Sequence, residues 1–260
     1  MVYMPRTKKT TTEETTEAKV DFTTAKRVKI WFFTELLGSL PKDPEIYAKY
    51  IASQALDAPS VQEELSMLPQ DEVIEKGTTV FLVRTRGKDK GKACLASYCW
   101  LGFFKEKTKF LRQETNSGFD KFANYKSKID GNFAIDKPFI TLELPEGSEL
   151  GTCQRPLRAE TAKGPRVAIA ASQSCPPGTT MEYELNIFTK EFNKYAYACL
   201  EKGFWNGMCQ WRSGGKGRFV FEVWDGDKIV AGNTKERVGC DSTSPKWDEY
   251  FEDFLDEYRL

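Results

Sequence analysis

The sequence predicts an α+β fold: a ferredoxin-like, RRM-like antiparallel sheet with helical insertions and a C-terminal hairpin and helix. The first observation is the order of its segments, which read strand, helix, strand and then again strand, helix, strand. The second is that the later strand segments alternate apolar and polar residues with period two, as in TMEYELNIFT. Two such units in series are typical of a ferredoxin-like sheet.

The first half of the chain supplies a strand, an insertion and a helix. RVKIWFFTELLG (27–38) reads as a buried strand, and the helix pattern that follows has Asp43 as its N-cap and Pro44 in its first turn. After a strand at residues 78–85, an apolar run becomes an amphipathic helix from about Gly102. We expect this helix to expose four cations, Lys105, Lys107, Lys109 and Arg112.

The second half contains a polar stretch, two strands, a helix and a glycine-rich loop. Residues 149–166 (ELGTCQRPLRAETAKGPR) read as a long polar connection, and strand segments lie on both sides of the turn CPPGT. Thr189 is expected to cap a helix that stops at Gly203. After the loop, RFVFEVW reads as a strand, and Asp225-Gly226 indicates a hairpin.

Three regions differ in composition. Residues 1–26 form a threonine-rich flexible arm, residues 27–246 a single decorated domain, and residues 247–260 an acidic aromatic tail. The tail reads as an amphipathic helix that docks on the protein's own core. The segment from Gly151 to Phe219 contains ten Lys and Arg and five Glu, so it carries a net charge of +5 in a chain that is neutral overall. This asymmetry indicates a cationic face for a polyanion.

The composition narrows the function classes. The chain has no histidine, which removes the commonest general base and the usual metal ligand, so binding is favoured over catalysis. Its seven cysteines are scattered without CxxC spacing, which predicts reduced core thiols, no metal site and no cofactor. Without a secretory h-region or a run of eighteen apolar residues, we expect a cytoplasmic protein with no membrane partner.

The stretch GMCQWRSGGKGRFVFEVW carries the densest candidate chemistry. It is not a nucleotide-hydrolysing phosphate loop, because Lys216 is followed by Gly217 and the loop opens a strand rather than a helix. Its glycines let the backbone approach a phosphate closely, and Arg212, Lys216 and Arg218 would neutralise that phosphate. With flanking aromatics, this arrangement suits a single-stranded nucleic acid laid over a sheet. The alternative is a solvated turn.

Several segments together resemble the repeat-associated mysterious protein (RAMP) superfamily, the ferredoxin-like subunits of class 1 CRISPR effector complexes. GMCQWRSGGKGRF resembles its glycine-rich loop, and RVAIAASQSCPPGTTMEYELNIFT resembles its strand, proline-glycine turn and strand. CQRPLRAETAKGPR, ASYCWLGFFKEKTKFLR and VKIWFFTELLGSLP resemble its cationic connection, its strand-glycine-helix element and its opening strand. Around CQRPLRAETAKG and GKGRF the chain also resembles proteins of tailed phages and prophages, so host defence and a phage origin both stay open.

The resemblance implies a non-catalytic subunit, working in a bacterial host cell, that binds single-stranded RNA or DNA and above all a guide RNA. Such a subunit assembles along its ligand with copies of itself or with other effector-complex subunits. Carried onto this sequence, the implied phosphate loop is Gly214, Gly215, Lys216, Gly217 and Arg218. The implied cationic connection and helix entry are Arg155, Arg158, Lys163, Arg166, Gly102 and Lys105.

Two alternatives stay open. Some subunits of the superfamily cut target RNA with an aspartate after the first strand, and Asp43 or Asp57 would occupy that region of a metal-dependent ribonuclease. Against this, Asp43 already has a capping role, and the superfamily's processing enzymes often use the histidine that this chain lacks. The second alternative is a protein-interaction, inhibitor or assembly subunit, for which the acidic aromatic tail would be the contact.

Overall fold

The computed structural model describes residues 25–43, 78–114, 117–119, 122–161 and 164–258, with residues 157–161 and 164–168 described for their backbone alone. Most of the arm predicted at the N-terminus lies outside these ranges. The helix predicted to begin after Asp43 lies outside them as well, and so do Asp57 and Lys163.

Eight strands of the described chain form one main sheet, in the order β13-β12-β1-β11-β8-β6-β5, and β7 pairs with β11 as well. Neighbouring strands in it run antiparallel. The strands of the chain are β1 (Lys26–Phe32), β2 (Leu36–Leu37), β3 (Leu40–Pro41), β4 (Thr79–Val80), β5 (Leu82–Val83), β6 (Ala93–Ala96), β7 (Phe133–Ile135), β8 (Phe139–Glu143), β9 (Gly151–Thr161), β10 (Gly164–Cys175), β11 (Thr180–Ile187), β12 (Phe219–Asp225) and β13 (Lys228–Gly232).

Helices cover one face of the main sheet. Residues of β1 alternate in direction, so Val28, Ile30 and Phe32 enter the same buried cluster as Trp100 and Phe104 of the first helix. The predicted α+β class, with an antiparallel sheet and several helices, is confirmed. The helices are α1 (Ser97–Gln113), α2 (Tyr125–Asn132), α3 (Asn193–Asn206), α4 (Thr234–Arg237) and α5 (Trp247–Tyr258).

The other face of the main sheet is partly covered by α5. Trp31 and Phe33 project to this side and form a second buried cluster with Phe251, Phe254 and Leu255 of the helix. Burying an aromatic side chain contributes about 1.5–3 kcal/mol, so this helix belongs to the folded unit. The acidic side chains of α5 are left on its outer surface.

A long two-stranded ribbon, residues 151–175, leaves the body of the protein. β9 and β10 pair along their whole length, from Gly151 with Ser174 to Thr161 with Gly164. Only the base of β10 pairs with other strands, through Ser172 to β4 and through residues 174–175 to β2. The expected polar connection was therefore wrong. The ribbon is held by its own cross-strand hydrogen bonds. The apolar residues of RVAIAASQ indicated a strand for part of β10, whereas the polar sequence of β9 gave no such signal.

Three expectations for the helices were wrong: the start of α1, the exposure of Lys107 and the end of α3. α1 begins at Ser97 rather than near Gly102, because a short apolar run fits a buried strand and a buried helix equally well. Lys107, expected to be exposed, is fully buried between α1 and α3. Gly203 does not end α3, which continues to Asn206; it lies against the Phe219 ring, where a Cβ would clash.

The turn predicted at Asp225-Gly226 joins β12 to β13. Thr189 precedes a short 3-10 turn at Lys190–Phe192 that leads into α3, and its side chain makes no capping hydrogen bond. No helix among the described residues combines the length and the apolar character needed to cross a membrane.

Candidate nucleic-acid interface

The loop from Gly207 to Arg218 is fixed to the body by backbone hydrogen bonds. The amide of Met208 donates to the carbonyl of Gly217 at 2.9 Å, and the amide of Gly217 donates to the carbonyl of Glu35 at 2.8 Å. Between these ties, Arg212–Gly214 form a 3-10 turn. The ends of the loop are therefore fixed to the body, whereas residues 211–214 at its tip are exposed to solvent.

The glycines of the loop serve different purposes. Gly207 and Gly217 have positive φ and cross each other closely, so that a Cβ on either would collide with backbone atoms. A Cβ on Gly214 would lie 2.5 Å from the Trp211 ring. Gly215 also has positive φ, but the space beside it is open. Of the three predicted phosphate-loop glycines, Gly214 and Gly217 satisfy the loop's own packing, and Gly215 presents its backbone outward.

A small cleft of about 390 Å³ lies between the loop and the start of α1. The Arg212 guanidinium is paired with Glu106 across it, at 2.9 Å between Nη2 and Oε1. Arg212 remains 42% exposed, so this ion pair is open to exchange with a ligand phosphate. The polar and backbone groups of the lining include Ser39, Tyr98, Gly102, Glu106, Gln210 and Arg212.

Arg155, on β9 at the base of the ribbon, contacts the loop beside this cleft. Its Nη2 donates to Gln210 Oε1 at 3.1 Å, its Nη1 donates to Ser172 Oγ at 3.5 Å, and its guanidinium lies 5.6 Å from the centroid of the Trp211 ring. It is only 8% exposed. Arg155 is thus a held cation behind Gln210 and Trp211, because three partners from two elements fix its position.

The other two loop cations face away from the small cleft. Lys216 is ion-paired with Glu35. The Arg218 Nε donates to the carbonyl of Phe204 at 2.7 Å. The Arg218 guanidinium also lies 5.3–6.0 Å from four ring centroids, those of Phe33, Phe204, Trp205 and Tyr258. Arg218 therefore contributes to packing as well as to charge.

A large cleft of about 1060 Å³ lies on this second side of the loop, between Lys216, the Pro176–Gly178 turn and α5. Four carboxylates line it against two cations, Lys216 and Arg218, so its lining carries a net charge of −2. A phosphate backbone would meet repulsion here, and the small cleft is the better-suited side. The four carboxylates belong to Glu35, Asp248, Glu252 and Glu257.

The remaining predicted residues are spread over the molecule. Gly102 lines the small cleft, with open space where a Cβ would be. Lys105 points to α2, where its Nζ is 2.6 Å from Asp130 Oδ1. Arg158 and Arg166 lie on the two paired strands of the ribbon. In the ladder, Arg158 is opposite Val167 and Arg166 is opposite Ala159. The structure thus places Arg212 and Gly102 in one cleft, with Arg155 beside it through Gln210, and separates them from Lys105, Lys216 and Arg218.

The two aspartates of the ribonuclease alternative receive no support from the described residues. Asp43 lies at the end of a described range, and Asp57 lies outside these ranges. No group of three or more acidic, histidine or cysteine side chains capable of holding a metal ion occurs in the part of the chain that the structure describes.

Sequence reasoning missed three residues of this region. Gln210 and Trp211 stand beside Arg212, but their role depends on a backbone conformation that no sequence pattern reveals. Lys107 lies beneath Glu106, with 3.2 Å between Nζ and Oε2. Burial lowers the pKa of Lys107, and the nearby Glu106 carboxylate opposes that shift.

Three of the seven cysteines, Cys94, Cys175 and Cys199, are buried, and the other four are partly exposed, so the expectation of core thiols holds only in part. All seven are free thiols. Burial raises the pKa of the Cys199 thiol to about 12, so that the thiol stays protonated near neutral pH and is a poor nucleophile and metal ligand.

No family model matches this sequence, and no curated protein matches it. The fold is similar to a chain of the cryo-EM structure of the Type III-B Cmr-beta bound to cognate target RNA, with a TM-score of 0.41 and 11% sequence identity. The match covers 79% of this chain and 59% of that chain, so the present chain spans less than two thirds of its neighbour.

Proposed function

We propose that this protein is a non-catalytic subunit that binds single-stranded nucleic acid, with RNA as its preferred ligand. The observation that carries the proposal is the placement of Arg212 and Gly102 in the small cleft, with Arg155 held beside it by Gln210. These residues come from the glycine-rich loop, α1 and the ribbon, and each was selected from the sequence for contact with a nucleic acid. An open cleft with an exposed arginine suits a sugar-phosphate backbone better than a free small molecule.

The sheet order supports a ferredoxin-like core for this subunit. β1, α1 and β8 form one strand-helix-strand unit, and β11, α3 and β12 form the other. Each unit has one strand of the other unit inserted between its own two, in the order β12-β1-β11-β8. This interleaving is the ferredoxin-like pattern, and together with the motifs of the sequence it favours a RAMP-like subunit.

The charge distribution indicates the path that a bound strand would follow over the surface. The lining of the large cleft carries a net charge of −2, whereas that of the small cleft is neutral, with Glu106 and Arg212. Arg155, which binds Gln210 of the small cleft, belongs to the ribbon, whose residues 151–175 carry four cations and one acid. We infer a path from the small cleft along the ribbon, with Arg158, Lys163 and Arg166 as further phosphate contacts. This path would lie on the domain of residues 27–246. Assembly with other copies or with other effector subunits in the cytoplasm belongs to the same proposal.

Fluorescence anisotropy with labelled single-stranded RNA, single-stranded DNA and duplex over a salt series tests this function. Each phosphate neutralised on a single strand should contribute about 0.7 to the slope of log K against log salt. Arg212→Gln should weaken binding of every sequence and lower that slope by about one phosphate contact. The triple change Arg158→Gln, Lys163→Gln and Arg166→Gln should lower it further.

The matched control is Lys137→Gln, which removes an exposed cation outside the path. A wild-type protein that binds no single strand at low salt would overturn the proposal. Equal losses for Lys137→Gln and Arg212→Gln would overturn the assignment of the site, because binding would then depend on net charge alone.

A further inference from the structure

Trp211 holds a backbone conformation that a large side chain rarely adopts. Its φ is +53°, in the left-handed region, and Cys209 two residues earlier has φ +62°. Apart from Trp211 and Cys209, Asn124 is the only non-glycine residue with positive φ among the described residues, and asparagine tolerates this conformation. The loop therefore accepts a cost in stability to keep a tryptophan where glycine or asparagine would fit better.

The surroundings of Trp211 do not repay that cost by burial. The side chain is 37% exposed, among the few large apolar side chains that remain exposed in the described chain. Gly214 leaves room for the Trp211 ring on one side. The Arg155 guanidinium lies 5.6 Å from the centroid of this ring, a larger distance than that of a group stacked directly on it. The neighbours in sequence, Gln210 and Arg212, both line the small cleft.

We propose that Trp211 stacks against an unpaired base of the bound strand; this inference rests on the proposed function and deepens it. A base offers a flat π-face to an indole whatever its identity, so the contact suits a subunit that binds without strong sequence preference. Arg212, the next residue along the chain and 42% exposed, would neutralise a flanking phosphate, while Arg155 lies behind the ring. Gln210 accepts from Arg155 through Oε1, which leaves its amide N–H₂ as a donor to a base carbonyl.

Trp211→Asn separates stacking from structural support. Asparagine relieves the left-handed conformation, so the thermal midpoint should stay equal or rise, whereas binding of a single-stranded oligonucleotide should weaken about tenfold, the loss of one stacked base. Trp211→Phe keeps a ring in the same strained conformation and should retain most of the affinity. An oligonucleotide with abasic sites should bind wild type and Trp211→Asn alike.

The control is Trp205→Ala. Trp205 is 55% exposed at the end of α3 and lies over Arg218 and Arg237, on the side away from the small cleft. Its loss should leave binding unchanged. Equal weakening by Trp211→Asn and Trp211→Phe, or by Trp211→Asn on base-carrying and abasic strands, would overturn stacking.

The outcomes for the two proposals are distinct. A wild type that binds single strands with the expected salt dependence, and a Trp211→Asn protein that binds them equally well, would overturn this inference and leave the proposed function intact. A wild type that binds no single strand would overturn both. A thermal midpoint lowered by several degrees in Trp211→Asn would assign the tryptophan a structural role instead.

Discussion

Single buried polar residues decide how the C-terminal part of this protein is attached. Glu222 of β12 is fully buried, and its carboxylate accepts from Thr234 Oγ1 at 2.7 Å and from the amide and hydroxyl of Ser242 at 2.8 and 2.5 Å. Trp224 Nε1 donates to it as well, at 3.1 Å. One carboxylate thus ties the segment before α5 to the main sheet, because buried charge is tolerated only where hydrogen bonds satisfy it.

Removing this carboxylate should be costly. Glu222→Ala leaves several buried donors unsatisfied, so we expect the free energy of unfolding to fall by about 3 kcal/mol. Urea unfolding followed by tryptophan fluorescence measures it. Glu184→Gln, a change of an exposed acid on strand β11 of the same sheet, is the control and should change stability by less than about 0.5 kcal/mol. A similar small change for Glu222→Ala would show that water replaces the carboxylate.

Lys107 makes stability depend on pH in the alkaline range. Burial lowers its pKa in the folded protein below the value of about 10.4 that an unfolded chain has. Between the two values the unfolded state binds more protons, so stability should rise as the pH rises through that window. Lys107→Met should remove this rise and stabilise the protein at pH 7 by about 1 kcal/mol.

Thermal or urea unfolding of wild type and Lys107→Met between pH 7 and pH 10.5 checks the sign. The exposed Lys109→Met is the matched control on the same helix and should keep the wild-type profile. A wild-type stability that falls more steeply with pH than that of Lys107→Met would contradict the lowered pKa.

At the scale of elements, α5 and the ribbon show opposite relations between pattern and packing. α5 carries an apolar stripe, Phe251, Phe254 and Leu255, which packs against the sheet through the Trp31 and Phe33 side chains. The ribbon is not packed in this way: Ile169 of β10 is 72% exposed, and β9 and β10 pair with each other over their length. An element with an apolar face is positioned by burial; one without it is positioned by hydrogen bonding at its base.

The acids of α5 should weaken nucleic-acid binding from a distance. Asp248, Glu252 and Glu257 line the large cleft beside Lys216, and their negative potential opposes an approaching phosphate backbone. Replacing them by Asn, Gln and Gln should tighten single-strand binding by about threefold at low salt and have little effect at high salt. Anisotropy at two salt concentrations measures this change.

Glu249 and Asp253 belong to the same helix but do not line the cleft. The changes Glu249→Gln and Asp253→Asn therefore serve as the control. Those changes should tighten binding less. If the three cleft-lining changes weaken binding instead, the carboxylates contact the ligand directly.

At the scale of the whole molecule, the glycine-rich loop separates two clefts of different charge. Arg212, with Arg155 behind it, faces the small cleft, and Lys216 and Arg218 face the large one. A neutral net charge conceals this arrangement. Binding to a polyanion depends on the local potential, so the protein can be neutral overall and still offer one cationic path.

Much of the class could be predicted from the sequence. The strand at β1, the helices α1 and α3, the turn at Asp225-Gly226 and the amphipathic C-terminal helix all follow from local apolar periodicity and turn residues. The boundaries of the elements could not be predicted, because a short apolar run fits two structures. Part of β10 was recognised in RVAIAASQ, but β9 could not be, because a polar strand resembles a loop. The glycine-rich loop could be singled out by its composition, but the cleft that each of its cations faces could not be predicted.

By itself the sequence determined the α+β class and the location of a cationic, glycine-rich loop, since both depend on residues close together in the chain. Only the tertiary structure decided that Arg155 binds Gln210 of the loop, that Lys107 is buried and that Trp211 is held in a left-handed conformation. Each of these depends on contacts between residues far apart in sequence, whose positions are fixed by strand pairing and helix packing across the whole sheet.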